Sequence, residues 1–189
     1  NAFTYTLNDG TKADNYTIKK TEGTLKVTEL TDKVTVTITE NSGSEKYDGS
    51  EKTVTGYTVS IDNELYTEAD FKFSGNATVK GTDAGTYNME LKAADFTNTS
   101  SNFSNVEFVI VDGTLTISKR TVTLTSADGE KVYDGTALTN STVTVGGDGF
   151  ATGEGATYDV TGSQTEVGSS ANAFTYTLND GTKADNYTI

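Results

Sequence analysis

The chain has 189 residues, with no cysteine, histidine, tryptophan or proline, and 27 acidic residues against 14 basic ones for a net charge of −13. The missing residue types exclude disulfides, thiolate or Ser–His nucleophiles and the usual zinc ligands, and the charge argues against nucleic acid or an anionic membrane surface as partner. Threonine, stiff at χ1 and suited to strands, makes up roughly a fifth of the chain, far above ordinary usage.

Period-2 alternation predicts the strands in chain order. Val34, Val36 and Ile38 alternate with threonines, followed by Tyr57, Val59 and Ile61, then Phe71 and Phe73. Tyr87, Met89 and Leu91 come next, then Val106, Phe108 and Ile110, and Leu115 with Ile117. The pattern then starts again with Val122 and Leu124, Val143 and Val145, Tyr158 and Val160, the set Phe174, Tyr176 and Leu178, and finally Tyr187 and Ile189. Asp-Gly pairs at 48–49, 112–113, 128–129, 134–135 and 180–181 read as turns that reach positive φ at low cost. The pair at 112–113, between two apolar runs, reads as a hairpin. Residues 63–70 (NELYTEAD) read as a short helix or turn. The tyrosines at 57, 87 and 176 are expected to face inward, whereas Tyr47 and Tyr133 stand beside turns.

Internal repetition organises these elements. Residues 1–18 and 172–189 are identical, NAFTYTLNDGTKADNYTI, so the period is 171 residues. Within it lies a second, diverged repeat: Tyr47-Asp48-Gly49 recurs as Tyr133-Asp134-Gly135, 86 residues on. Gly23-Thr24-Leu25-Lys26-Val27-Thr28 matches Gly113-Thr114-Leu115-Thr116-Ile117-Ser118. Three segments are expected: residues 1–29 as the closing strands of a preceding module, 30–118 as a complete module, and 119–189 as a second module without its last strand. No Pro- or Ser-rich linker separates them, so the joints are expected to be short and stiff. The expected fold is all-β, with tandem small antiparallel sandwich or curled-sheet modules forming an elongated rod. The alternative is a β-grasp-like module with one short helix.

The YDG turn after a Thr-rich strand, the Gly85-Thr86-Tyr87…Leu91 strand, the NYTI strands at 15–18 and 186–189 and the closing GTLTIS and GTLKVT strands resemble the MBG/YDG-type repeat domains of bacterial surface proteins. The resemblance runs over nearly the whole chain, twice. It implies a secreted or wall-anchored, adhesin-type protein in which such modules act as stalk or as mucus- or matrix-contacting units, and it carries no catalytic residues. One departure is Thr121, which follows Lys119-Arg120 where the family commonly has proline.

No motif singles out a catalytic carboxylate pair, and no enzymatic activity or cofactor is expected. Calcium is the one ion the composition suits, with Asp83, Asp148 and Asp159 in Gly-rich stretches as its candidate ligands, set against a reading as solvated turns. Isopeptide cross-links would use Lys33, Lys46 or Lys131, but the sequence shows no inward-facing lysine beside a buried acid. The function expected is a repetitive stalk of a bacterial cell-surface or cell-wall-anchored protein, projecting an adhesive tip, with neighbouring modules joined head to tail. The alternative is an adhesin module that itself binds mucin or host glycan or matrix. The Tyr47-Asp48-Gly49 and Tyr133-Asp134-Gly135 turns are read as structural.

Overall fold

A computed structural model describes residues 1–189. The strands are β1 (Val34–Glu40), β2 (Gly43–Lys46), β3 (Lys52–Thr55), β4 (Tyr57–Ile61), β5 (Phe71–Phe73), β6 (Thr78–Gly81), β7 (Gly85–Asn88), β8 (Phe96–Asn98), β9 (Val106–Val111) and β10 (Thr114–Ser118). After Lys119 the chain continues into β11 (Arg120–Ser126), β12 (Val143–Gly147), β13 (Ala156–Val160), β14 (Phe174–Leu178) and β15 (Tyr187–Thr188). The fold is all-β, and the only helical elements are single 3-10 turns. No strand of residues 34–118 pairs with a strand of 120–188, so two units follow one another.

In the first unit β1 is central, antiparallel to β4 and parallel to β9, while β10 lies parallel to β2 and antiparallel to β7. Two smaller pairs, β3–β6 and β5–β8, complete it. The pairing is therefore mixed rather than purely antiparallel. The β1–β2 and β9–β10 segments run side by side, each passing from one sheet to the other.

That crossing corrects the hairpin expected at Asp112-Gly113, because β9 and β10 do not pair with each other. Gly113 has no positive φ; it is needed for close approach, since a Cβ there would sit 2.4 Å from the Asn41 carbonyl oxygen. Gly129 likewise has no positive φ, whereas Gly49, Gly135 and Gly181 do, at 83°, 76° and 86°. Residues 63–70 form a turn closed by Tyr66 N–H on the Asn63 carbonyl, then a 3-10 turn over Glu68–Asp70, with no α-helix. Only Tyr66 of that stretch is buried, so no apolar stripe of helical period supports a longer helix.

Val34, Val36 and Ile38 are fully buried, as the alternation requires. A cluster of rings fills the space beneath them: Tyr66, Phe71, Phe73, Phe96, Phe103 and Phe108 meet at centroid distances between 4.9 and 6.4 Å. Glu40 continues the inward face of β1 and is 3% exposed. Its two oxygens accept the backbone N–H groups of Leu91 (2.6 Å) and Gly113 (2.7 Å), so this carboxylate pins the corner where both crossings occur.

The second unit repeats the β1–β4–β9 arrangement. Val122 faces Gly147 as Val36 faces Ile61, each 86 residues further on, and Arg120 pairs in parallel with Tyr187 as Val34 does with Val106. Its core is much thinner, because of sixteen buried apolar residues only Val122, Ala151 and Tyr187 belong to it. Tyr176, expected inward, is 44% exposed. On β14 it pairs with Tyr158, as Asn98 on β8 pairs with Phe71 on β5, and it lies outside the buried cluster. Residues 1–29 contribute no strand and no buried residue.

Candidate functional site: the joint between the units

The most densely bonded polar cluster lies where the first unit meets the second. Ser118 ends β10 and, after Lys119 alone, Arg120 begins β11. The Arg120 guanidinium donates from Nε to the Gly149 carbonyl (2.8 Å), from Nη1 to the Tyr47 carbonyl (3.3 Å) and from Nη2 to the Asp148 carbonyl. One planar fork thus ties the YDG turn of the first unit to the loop after β12 of the second. The chain has no proline at 121; this clamp of Arg120 fixes the direction of the chain there.

Around it the contacts come from both sides. Lys46 Nζ lies 2.6 Å from Asp148 Oδ1, while Asp148 Oδ2 accepts Thr121 N–H at 2.9 Å. The Tyr47 hydroxyl donates to Glu154 Oε1, and the Tyr187 hydroxyl donates to Glu154 Oε2 at 2.6 Å while accepting Ala151 N–H at 3.0 Å. The rings of Tyr47 and Tyr187 meet edge to face at 5.7 Å, with Phe150 against Tyr187 at 5.2 Å. Beside them the fully buried Asn186 accepts Ala84 N–H at 2.7 Å and donates to Asp83 Oδ1 at 3.0 Å, while Lys183 reaches Asp83 Oδ2 at 2.7 Å. No buried side-chain polar atom is left without a partner.

The electrostatics follow the contacts. Burial, then the hydrogen bond to Glu154 and its charge, push the Tyr47 phenol up to about 12. Burial and Glu154 also raise Tyr187. The Lys46 bond and the Thr121 amide lower Asp148, and the Lys183 bond followed by Asn186 lowers Asp83.

The YDG motifs differ in surroundings. Asp48 accepts Ser50 N–H at 2.9 Å and pairs with Lys52; Asp134 accepts Thr136 N–H at 2.9 Å and pairs with Lys131 at 2.8 Å. These bonds hold both carboxyls well below the usual range. Tyr47 is 4% exposed within the joint, but Tyr133 is 57% exposed. Of the calcium candidates, Asp83 and Asp148 are joint residues bonded to lysines, and Asp159 lies on an outward position of β13. No three acidic side chains converge as metal ligands. Lys33, Lys46 and Lys131 all pair with carboxylates at the surface.

Residues 34–119 match the family model of the MBG domain. The first unit is an MBG domain. MBG domains are repeat domains of surface proteins, and the second unit repeats the central pairing of this one at a fixed offset. No curated protein and no solved structure matches the chain.

Sequence reading placed the YDG tyrosines at turns but missed Arg120, Glu154 and Asn186, whose roles depend on a neighbour about 70 to 107 residues away. Glu40 was more legible. It is the one charge on the inward positions of a Val/Ile/Thr strand, and a charge in that place is buried only with partners.

Proposed function

We propose that the chain is a segment of a stalk, a mechanical rather than catalytic element that projects a binding tip from a bacterial cell surface. The observation that carries this reading is the joint: a guanidinium, a buried asparagine and two tyrosines fix the orientation of one unit on the next. Sequence identity over 18 residues at a spacing of 171 fits a protein that grows by copying units.

Small-angle scattering on one and two 171-residue periods tests the reading. A stalk nearly doubles its maximum dimension with the second period, and its radius of gyration rises in step. A chain that collapses on itself starts at about 16 Å and gains only about 30% on doubling, which would refute the stalk. The competing role, binding of mucin or host glycan by the module itself, predicts saturable binding by one period and avid binding by two on a glycan array. The stalk reading expects neither.

A further inference from the structure

We propose that the joints of this chain alternate in stiffness: the joint after β10 is clamped, whereas the joint ahead of β1, where a unit of the second type leads into a unit of the first, is a hinge. This concerns motion between units and does not depend on the stalk reading.

The sequence contains both kinds of joint. Residues 1–18 are identical to 172–189, so a unit of the second type stands directly ahead of the first unit. In the observed joint the first unit offers a trailing end, with Lys46, Tyr47 and Asp83, and the second a leading end, with Arg120, Asp148, Glu154, Asn186 and Tyr187. The other joint sets the trailing end of a second unit against the leading end of a first. The offsets of the repeat give the counterpart of each residue.

All three cations of the observed joint are lost there. Arg120, whose guanidinium holds the Tyr47, Asp148 and Gly149 carbonyls, corresponds to Val34, which is fully buried in the core of the first unit. Lys46, paired with Asp148 at 2.6 Å, corresponds to Val132. Lys183, paired with Asp83 at 2.7 Å, corresponds to Asn102, and Asp83 itself to Ser170. The neighbouring lysines are engaged elsewhere, Lys131 with Asp134 and Lys33 with Glu107. The acids remain: Asp62 and Glu68 stand for Asp148 and Glu154, and Asp62 accepts Thr35 N–H at 2.8 Å as Asp148 accepts Thr121 N–H.

The rings thin out as well. Tyr187, which meets Tyr47 edge to face and shares Glu154 with it, corresponds to Val106. Asn186 corresponds to Asn105, whose amide donates to the Thr31 carbonyl of its own unit at 3.3 Å. Tyr133 facing Glu68 is what survives of the tyrosine–carboxylate contacts. One hydroxyl on a carboxylate fixes a point of contact; a guanidinium fork fixes an orientation.

The connection differs in the same sense. Ser118 and Arg120 are separated by Lys119 alone. Their counterparts, Thr28 and Val34, are separated by five residues, Glu29 to Lys33. The four additional residues lengthen the reach by up to about 13 Å, at about 3.3 Å each. Leu30 is held on the first unit, its N–H on the Asn102 carbonyl at 2.7 Å and its carbonyl accepting Ser104 N–H at 3.1 Å. The leading end of the first unit therefore runs on past Val34, whereas that of the second begins at Arg120. Bending falls once per 171-residue period, between bodies of two clamped units.

The test is a chain of two periods carrying spin labels in pairs, which the lack of native cysteine makes specific. Ser60→Cys and Asp159→Cys lie on outward strand positions. Placed within one period they span the clamped joint; with Asp159→Cys in the first period and Ser60→Cys in the second they span the hinge. Pulsed electron spin resonance reads each distance distribution. The distribution across the clamped joint is expected to be no wider than the labels impose, and that across the hinge at least about twice as wide, as a five-residue connection allows. Lys46→Ala with Arg120→Ala is expected to widen the first distribution and leave the second unchanged. Equal widths at the two joints of the wild type, or a first distribution that stays narrow in the double variant, would overturn the proposal. The wild-type comparison decides by itself where the variant fails to fold.

Discussion

Replacing Tyr47 with phenylalanine removes one hydroxyl and keeps the ring. The ring stays edge-on to Tyr187, but Glu154 loses one of its two donors. A hydrogen bond to a charged acceptor is worth about 1.5–3 kcal/mol, so at pH 8 the wild type should exceed the variant by about 2 kcal/mol. The lead should depend on pH in a defined sense. Folding raises the Tyr47 phenol to about 12 from its ordinary 10.0. Its stabilisation is therefore complete below pH 10, where the phenol is protonated folded or unfolded. Above pH 10 the unfolded chain ionises first, and stability falls by about 1.4 kcal/mol per pH unit until the folded phenol ionises near pH 12. The total, about 3 kcal/mol, exceeds the initial lead, which should vanish between pH 11 and 12. Urea unfolding of both proteins, followed by circular dichroism in steps from pH 8 to 12, measures the difference. A lead that stays constant across this range would show that Tyr47 is not buried against a carboxylate, and the joint as described would be wrong.

Glu40→Ala leaves the buried N–H groups of Leu91 and Gly113 without an acceptor and should cost about 2–5 kcal/mol in urea unfolding of the first unit. Ser126, at the corresponding place in β11, makes no side-chain hydrogen bond to this corner, and Ser126→Ala should stay within about 0.5 kcal/mol in the same measurement. Gly113→Ala, which drives a Cβ against the Asn41 and Glu40 backbone, should destabilise by about 2–3 kcal/mol, well beyond the about 1 kcal/mol expected for Gly181→Ala, where only the positive φ opposes the side chain. Asp148 is held below the ordinary carboxylate range by Lys46 and the Thr121 amide, so its stabilisation is present above about pH 4 and lost as pH falls through the lowered folded value. Asp148→Asn should flatten the acid limb of the stability profile, and added salt should do so in part for the wild type.

Period-2 alternation made the strands legible because one face of each strand had to be apolar. Val34, Val36 and Ile38 are buried in the positions the pattern assigns them. Pairing was not legible. The parallel partners of β1 and β10 lie about 72 residues away, and nothing in Asp112-Gly113 distinguishes a hairpin from a crossing. The decision rests with Glu40, whose carboxylate holds Gly113 at the corner from 73 residues upstream. The inward reading of Tyr176 failed for a related reason. Alternation gives the direction of a side chain, but its burial depends on a packed layer beneath it, and Tyr176, paired with Tyr158 in the thin second unit, lies outside the buried cluster. The joint was partly readable: short connection and YDG turns were visible, but the Arg120–Tyr47 and Tyr47–Glu154 contacts join residues that only stacking brings together.

The two YDG tyrosines bring these observations to one point. Tyr47 follows β2 and no strand directly precedes Tyr133, but both precede the same Asx turn and a glycine at positive φ. Tyr47 meets a leading end and becomes buried, while Tyr133 meets none and stays exposed. Burial at this position therefore does not belong to a unit by itself but to a pair of units in sequence. A ring that is costly to leave in water at a free end, and that gains a carboxylate partner only in a stacked one, makes each added unit stabilise the one before it. For a chain built from copied units, that coupling lets thin cores stand in series: the second unit buries only three apolar residues, Val122, Ala151 and Tyr187, and two of them belong to the joint.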